Sequence, residues 1–422
     1  MMKPEILRDL RHNLIVNLSD GAFFGFALGF ASFVTIIPLF VSQMTDSAIL
    51  IGLIPAIHSV GWQLPQLMTA DRVAKQTRFK PMVLRMTIQE RLPFLGLAVI
   101  AWFLPQMNNQ TALLITFGLL IWQGLGGGLT AGAWQSMIGK IIPGDRRGTF
   151  YGAQSSAANL LASLSAVLAG FILASLAGPV DFSLCFFLAF ISMGISWLFL
   201  AQTREAATPI PEYIGESTNF WNRIGDILDR DRNFRWFIVA RLLSQLAVMG
   251  FAFYSVYVVN QKGAGEIHVG WMTGIFLGTQ IIANPIMGWL GDHWSHGRIM
   301  EIGCIAAALS SVLASWAPST AWFYLVFILA GIANVGVWTI ALAMILEFGT
   351  EAERPAYVGM GNTFVAPMTI LAPFLAGWLA DTAGYQIAFI ATGIAGLVTA
   401  AVLHWLVKDP RSISISNTVN GD

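Results

Sequence analysis

Ten stretches of this chain contain no Asp, Glu, Lys or Arg: 21–45, 47–70, 92–139, 148–180, 182–203, 242–261, 267–291, 302–346, 355–380 and 382–407. About 20 apolar residues cross the roughly 30 Å of bilayer hydrocarbon, where a helix satisfies its own backbone. The composition agrees: 56% of residues are apolar and 11% are charged, against about 25% charged in a soluble domain. The chain therefore reads as an all-α integral membrane protein.

Two runs are too long for one crossing. The run 92–139 is interrupted by Pro105-Gln106-Met107-Asn108-Asn109, and 302–346 by Ala317-Pro318-Ser319-Thr320. Twelve transmembrane helices follow, at about 13–43, 47–70, 82–104, 110–141, 148–177, 182–202, 234–261, 268–291, 299–316, 321–347, 356–380 and 385–407. With both termini cytoplasmic, twenty of the twenty-three Lys and Arg fall in cytoplasmic loops or beside them; Lys262 is outside, and Arg91 and Arg241 lie within helices. The expected location is the cell membrane, multi-pass. The apolar run near the N-terminus is too long for a signal peptide and should remain as the first helix.

The second half repeats the first. Gly124, Met137, Ile138, Arg147, Gly152 and Gly170 recur 207 residues later as Gly331, Met344, Ile345, Arg354, Gly359 and Gly377, with no gap. Internal symmetry of this kind is how secondary transporters are built. The expected organisation is a six-helix bundle at 1–203, a cytoplasmic linker at 204–232, a second bundle at 233–408 and a tail at 409–422. In the linker, Phe220, Trp221, Ile224, Ile227 and Leu228 follow helical spacing, which suits an amphipathic helix at the membrane interface.

Intramembrane charge is costly and each instance asks for a partner. Asp20 lies about two turns into helix one, Glu90 and Arg91 are adjacent in helix three, and Arg241 is about two turns into helix seven. Uncharged polar candidates are His58, Gln63, Gln123, Gln245, Gln280, Asn284 and Asn334. Any of these can equally serve as glue between helices. Cys185 and Cys304 sit in spans and read as inert small apolar residues. His293 and His296 flank Asp292 but lack a cysteine or second acid spaced to complete a metal site. No metal or other cofactor is expected, no G-x-x-x-x-G-K-[ST] loop occurs, and zero net charge argues against nucleic acid. The glycine run 124–132 sits inside a span, where small residues allow close packing.

The segment Gly288-Trp289-Leu290-Gly291-Asp292-His293-Trp294-Ser295-His296-Gly297-Arg298 resembles the G-x-x-x-D-R-x-G-R loop of the major facilitator superfamily, with one extra residue and His for the first Arg. Its first-half counterpart, Asp71-Arg72-Val73-Ala74-Lys75-Gln76-Thr77-Arg78, keeps the acid and bases but has Leu67 at the leading Gly position. The resemblance covers nearly the whole chain and extends to bacterial efflux permeases. It implies two pseudo-symmetric six-helix bundles. It also implies a latch of loop charges that holds the outward-open state, which marks Asp71, Arg72, Arg147, Gly288, Asp292, Gly297, Arg298 and Arg354. The alternative for these charges is ordinary positive-inside topology.

Leu120-Ile121-Trp122-Gln123-Gly124 resembles the R-x-x-Q-G motif of proton-driven drug exporters, but Leu120 replaces the Arg. In the resembled fold helices one and seven line the central cavity and helix three is peripheral. That favours Asp20 for proton coupling, with Arg241 as the nearest partner or an anion contact, and leaves Glu90–Arg91 a structural reading. The expected activity is secondary active transport by alternating access, without enzymatic chemistry. Export of an amphipathic or lipophilic small molecule, with protons as candidate coupling ion, stands first. A nutrient importer of the same fold is the alternative, and a receptor, scaffold or intramembrane enzyme is more remote. The expected partners are the lipid bilayer and the substrate, and the expected state is a monomer.

Overall fold

The computed structural model describes residues 4–208, 220–263 and 266–411. Linker residues 209–219 and tail residues 412–422 lie outside them. Among the described residues there are helices and no strands. Ten of the predicted spans are helices long and apolar enough to cross a membrane. The other two are the second, Ala48–Gln63 followed by Gln66–Ala74, and the eighth, Glu266–His293.

Several spans are broken where the sequence reading expects one helix. Span one runs Pro4–Phe30 and resumes at Ile36–Ser42. Ser32 turns the chain there, its hydroxyl accepting from the Val34 and Thr35 amides. Span two breaks at Leu64-Pro65, where proline supplies no amide. Span three breaks at Thr87, span seven between Ala247 and Phe251, and span eleven between Thr363 and Ala366. Span ten runs Trp322–Asn334, then winds as a π-helix over Val335–Ile340 before ending at Ala341–Ile345. Such π turns are frequent at functional positions.

The chain divides into two compact units. The first comprises Met1–Pro143, Ala157–Gly215 and Glu351–Ala366; the second comprises Gly144–Ser156, Glu216–Thr350 and Pro367–Asp422. Relative to the expected bundles, the starts of spans five and eleven are exchanged. In the first unit span one packs on six, six on three, three on four, and four on two. In the second, seven packs on twelve, twelve on nine, nine on ten, and ten on eight. The same helix order in both units is the structural form of the sequence repeat.

The repeated glycines explain part of it. A Cβ on Gly124 would lie 2.9 Å from the Ile57 carbonyl oxygen, and one on Gly331 would lie 3.0 Å from that of Phe276. Each marks a close approach of span four to two, or ten to eight. Phe40, Phe94, Cys185 and Phe186 fill the first core, and Tyr254, Phe323, Val326 and Phe389 the second. Large apolar side chains such as Leu114, Phe171, Trp316, Phe374 and Trp405 are exposed, as a lipid-facing surface requires. The linker helix is Phe220–Arg230, with Ile224 and Ile227 buried and Trp221, Asp226 and Asp229 exposed.

Candidate functional site: buried charge and helix-end clasps

Asp20, Glu90 and Arg91 are all buried in the first unit and converge where spans one, three and six meet. Arg91 Nη2 lies 3.6 Å from Asp20 Oδ1, and its Nη1 lies 3.8 Å from Glu90 Oε2. The Ser196 hydroxyl donates to Asp20 at 2.6 Å and accepts from Arg91 Nη2 at 2.9 Å. Arg91 Nε donates to the Met193 carbonyl at 3.1 Å, Nη1 bonds the Thr87 hydroxyl, and that hydroxyl reaches Glu90 at 3.5 Å. Two acids and one base leave a formal charge of −1 when both carboxylates are ionised. The cationic partner of Asp20 is therefore Arg91, where the sequence reading named Arg241. Asp20 faces span three rather than turning away from it.

Glycines make room for this cluster. A Cβ on Gly127 of span four would come 2.7 Å from Glu90 Oε1, and one on Gly126 2.6 Å from the Gln89 carbonyl carbon. The glycine run of span four is thus the floor of the Glu90 pocket.

Other polar groups lie elsewhere in this unit. His58 Nδ1 pairs with Gln123 Oε1 at 3.0 Å while its ring stacks on Phe33. Asn362 Nδ2 donates to Gln66 Oε1 at 2.8 Å and to Gln135 Oε1 at 3.3 Å. Thr363 answers the break in span two. Its hydroxyl accepts from the Leu67 amide at 3.1 Å and lies 3.1 and 3.2 Å from the Gln63 and Leu64 carbonyl oxygens. Sequence reasoning missed Gln66, Gln135, Asn362 and Thr363, although amides beside a mid-span proline were a usable signal.

In the second unit Arg241 is buried, donates from Nη1 to the Val337 carbonyl of the π turn at 2.8 Å, and makes no ion pair among the described residues. Asn334 donates to Gln280 at 2.8 Å, and Asn284 to the Gln280 carbonyl at 2.8 Å. Gln245 lies 3.5 Å from the Ser244 hydroxyl.

Asp292, at the end of span eight, accepts from the Gly148 amide at 2.7 Å and the Thr149 amide at 2.6 Å. It so caps the first turn of span five, where an anion is favoured. Gly288 and Gly148 bring the two backbones into contact. Burial pushes the Asp292 carboxyl up, but hydrogen bonds from His296, Thr149 and Gly148 outweigh it and hold the group below its ordinary value. His296 sits between Asp292 (3.4 Å) and Glu347 (2.6 Å), and Arg411 reaches Glu347 at 3.2 Å and the Gly291 and Asp292 carbonyls at 2.8 and 2.9 Å.

Arg147 donates to the Leu346 carbonyl and Arg354 to the Gly139 carbonyl. Gly297 packs near Met344, and the amide of Arg298 is capped by Ser295. Asp71 pairs with Lys75 at 2.7 Å, and Arg72 is exposed. His293 bonds the Trp289 carbonyl instead of joining His296. No metal-binding group of three or more His, Cys, Asp or Glu occurs among the described residues, and both cysteines are buried and free. Glu347 and Arg411 were not singled out by the sequence reading.

The sequence model of the Major Facilitator Superfamily matches residues 237–421. The fold is similar to that of the E. coli fucose:proton symporter, with a TM-score of 0.71 over 94% of this chain and 98% of that one, at 15% identity. The family match lies in the second half of the chain, and the likeness to the solved structure is one of fold. Two proteins similar in sequence are a gentisate transporter of Corynebacterium glutamicum, 28% identical over 44% of this chain, and multidrug resistance protein 1 of Bacillus subtilis, 25% identical over 39%. Each match spans 42% of the relative's length. The Gly288–Arg298 segment, which resembles the superfamily's loop motif, lies inside the matched range, and its Asp292 caps span five.

Proposed function

We propose that this protein is a secondary active transporter of the cell membrane that exports a small amphipathic or lipophilic compound by alternating access, coupled to protons through Asp20, Glu90 and Arg91. The observation that carries the reading is the buried triad, whose formal charge of −1 one proton would cancel. A net charge held within a span is expensive, so the neutral triad is the form suited to a conformational change. Asp292 and the two helix-end arginines supply the latch, at the end of the units that the basic loops assign to the cytoplasm. One relative is named for gentisate and another for multidrug resistance, which supports an organic substrate.

The test uses proteoliposomes with an imposed pH gradient and a panel of amphipathic compounds. Asp20→Asn should abolish uphill transport and retain substrate exchange, which needs no net proton movement. Uphill transport at the native rate in Asp20→Asn and in Glu90→Gln would remove the coupling role.

Import of an organic solute is a second reading, favoured by Arg241, a buried cation with no ion pair among the described residues that suits an anionic group on the substrate. Counterflow with an organic acid panel in Arg241→Gln separates the two.

A further inference from the structure

The first unit contains a hollow of about 1080 Å³ that the transport reading does not use. Its walls are the start of span one, the loop leading into span three, the end of span four and the segment that follows span six. Five cations line it: Arg8, Arg78, Lys80, Lys140 and Arg204. The acids are Asp9, Glu205 and Glu351, so the lining carries a surplus of two positive charges.

The hollow is held open by its own hydrogen bonds. Asn13 donates to the Arg204 carbonyl at 2.9 Å and accepts from the Arg204 amide at 2.8 Å. Glu205 accepts from the Phe79 amide at 2.9 Å, the Lys80 amide at 2.7 Å and Lys140 Nζ at 2.8 Å. The Thr208 amide reaches the Thr77 carbonyl at 3.0 Å. Glu205 is thereby committed to the walls, and Asp9 is shared by Arg8 and Arg204. Arg78 and Lys80 form no ion pair among the described residues. Pro81 and Leu84 add an apolar side.

The positive-inside rule accounts for cations at this end of a bundle, but not for five of them around one preformed hollow. A guanidinium fork and an ammonium together suit a phosphate, which offers several acceptor oxygens and more than one charge. Basic pockets at the membrane margin hold phospholipid head groups by the same forces. We propose that this hollow binds a phosphate-bearing anion, through Arg78 and Lys80 with Arg8 and Arg204 at the rim. A lipid head group and a soluble organic phosphate share that chemistry.

The experiment uses delipidated full-length protein. Native mass spectrometry measures retention of phosphatidylglycerol against phosphatidylcholine, and thermal melts are run with inorganic phosphate and glycerol 3-phosphate against chloride. Retention or stabilisation should fall about fivefold per cation removed in Arg78→Gln/Lys80→Gln. The exposed Arg8→Gln gives the same readout with no risk to the fold. Arg235→Gln, outside the hollow, should change nothing. Selective phosphatidylglycerol retention alone identifies a lipid, whereas stabilisation by the soluble phosphates identifies a free ligand. The proposal is overturned if neither ligand class exceeds its control, or if Arg235→Gln weakens binding as much as the hollow variants.

Discussion

Arg147 and Arg354 make the same contact 207 residues apart: Arg147 Nη1 donates to the Leu346 carbonyl at 3.0 Å, and Arg354 Nη1 donates to the Gly139 carbonyl at 3.1 Å. The two acceptors are also 207 residues apart. Each guanidinium thus closes the C-terminal end of a span from the start of another, where free carbonyls and the helix dipole favour a cation. The sequence repeat is preserved at the level of single hydrogen bonds.

Removing either arginine should cost about 1.5–3 kcal/mol, the usual range for a hydrogen bond to a charged group. Arg147→Ala and Arg354→Ala should each lower the melting temperature, with Lys restoring only part because it is a single-point donor. The Leu346 and Gly139 contacts lie in different units, so the double variant should be additive within about 0.5 kcal/mol. A marked departure from additivity would mean that the two ends are one cooperative structure.

The two loop acids should differ in effect. Asp292 takes both the Gly148 and Thr149 amides. By the repeat, the residue matching Gly148 is Pro355, which has no amide to offer Asp71. Asp292→Asn should therefore speed hydrogen exchange at Gly148 and Thr149 and widen spin-label distances across the loops, more than Asp71→Asn does. The lowered Asp292 value fixes the pH dependence. Its stabilisation is complete above the ordinary carboxyl value of about 3.9 and is lost as pH falls through the lower folded value. Protection at these two amides should hold from pH 7 to 5. Loss of protection in that window would assign the clasp to another titrating group.

Thr363 should be worth more than its size suggests. Its hydroxyl serves the Leu67 amide and the Gln63 and Leu64 carbonyls at the break in span two. Thr363→Val keeps the shape and should cost about 1 kcal/mol by leaving the part-buried Leu67 amide and Gln63 carbonyl without this partner. Thr363→Ser should be close to neutral. Equal melting temperatures for Thr363→Val and the native chain would show that water replaces the hydroxyl.

The spans were legible because a charge-free run is a signal along one dimension, and the bilayer sets its length. Their breaks were less so. Pro65 announces itself, but the turn at Ser32 depends on a side chain folding back on its own backbone. The equivalence of Arg147 and Arg354 could be read from the repeat, whereas their acceptors are carbonyls that leave no mark in the sequence. Asp20 was identifiable as a costly charge, yet its partner was not. Which of Arg91 and Arg241 it meets depends on how spans one, three and seven are rotated about their axes, and spacing within one span carries no such information.

That rotation makes the triad testable as a unit. Arg91→Met removes the cation that faces Asp20 and Glu90 and strands two buried carboxylates. Breaking a buried pair in this way costs about 3–5 kcal/mol, mostly through the charges left behind. The variant should melt far below the native chain. Neutralising all three, in Asp20→Asn/Glu90→Gln/Arg91→Met, removes the stranded charge and should recover most of the loss. Arg91 also bonds the Met193 carbonyl and the Ser196 hydroxyl, and those contacts are absent from both variants. A triple variant no more stable than Arg91→Met would therefore mean that Arg91 acts as a hydrogen-bonded brace between spans three and six. Its charge balance with Asp20 and Glu90 would then be incidental.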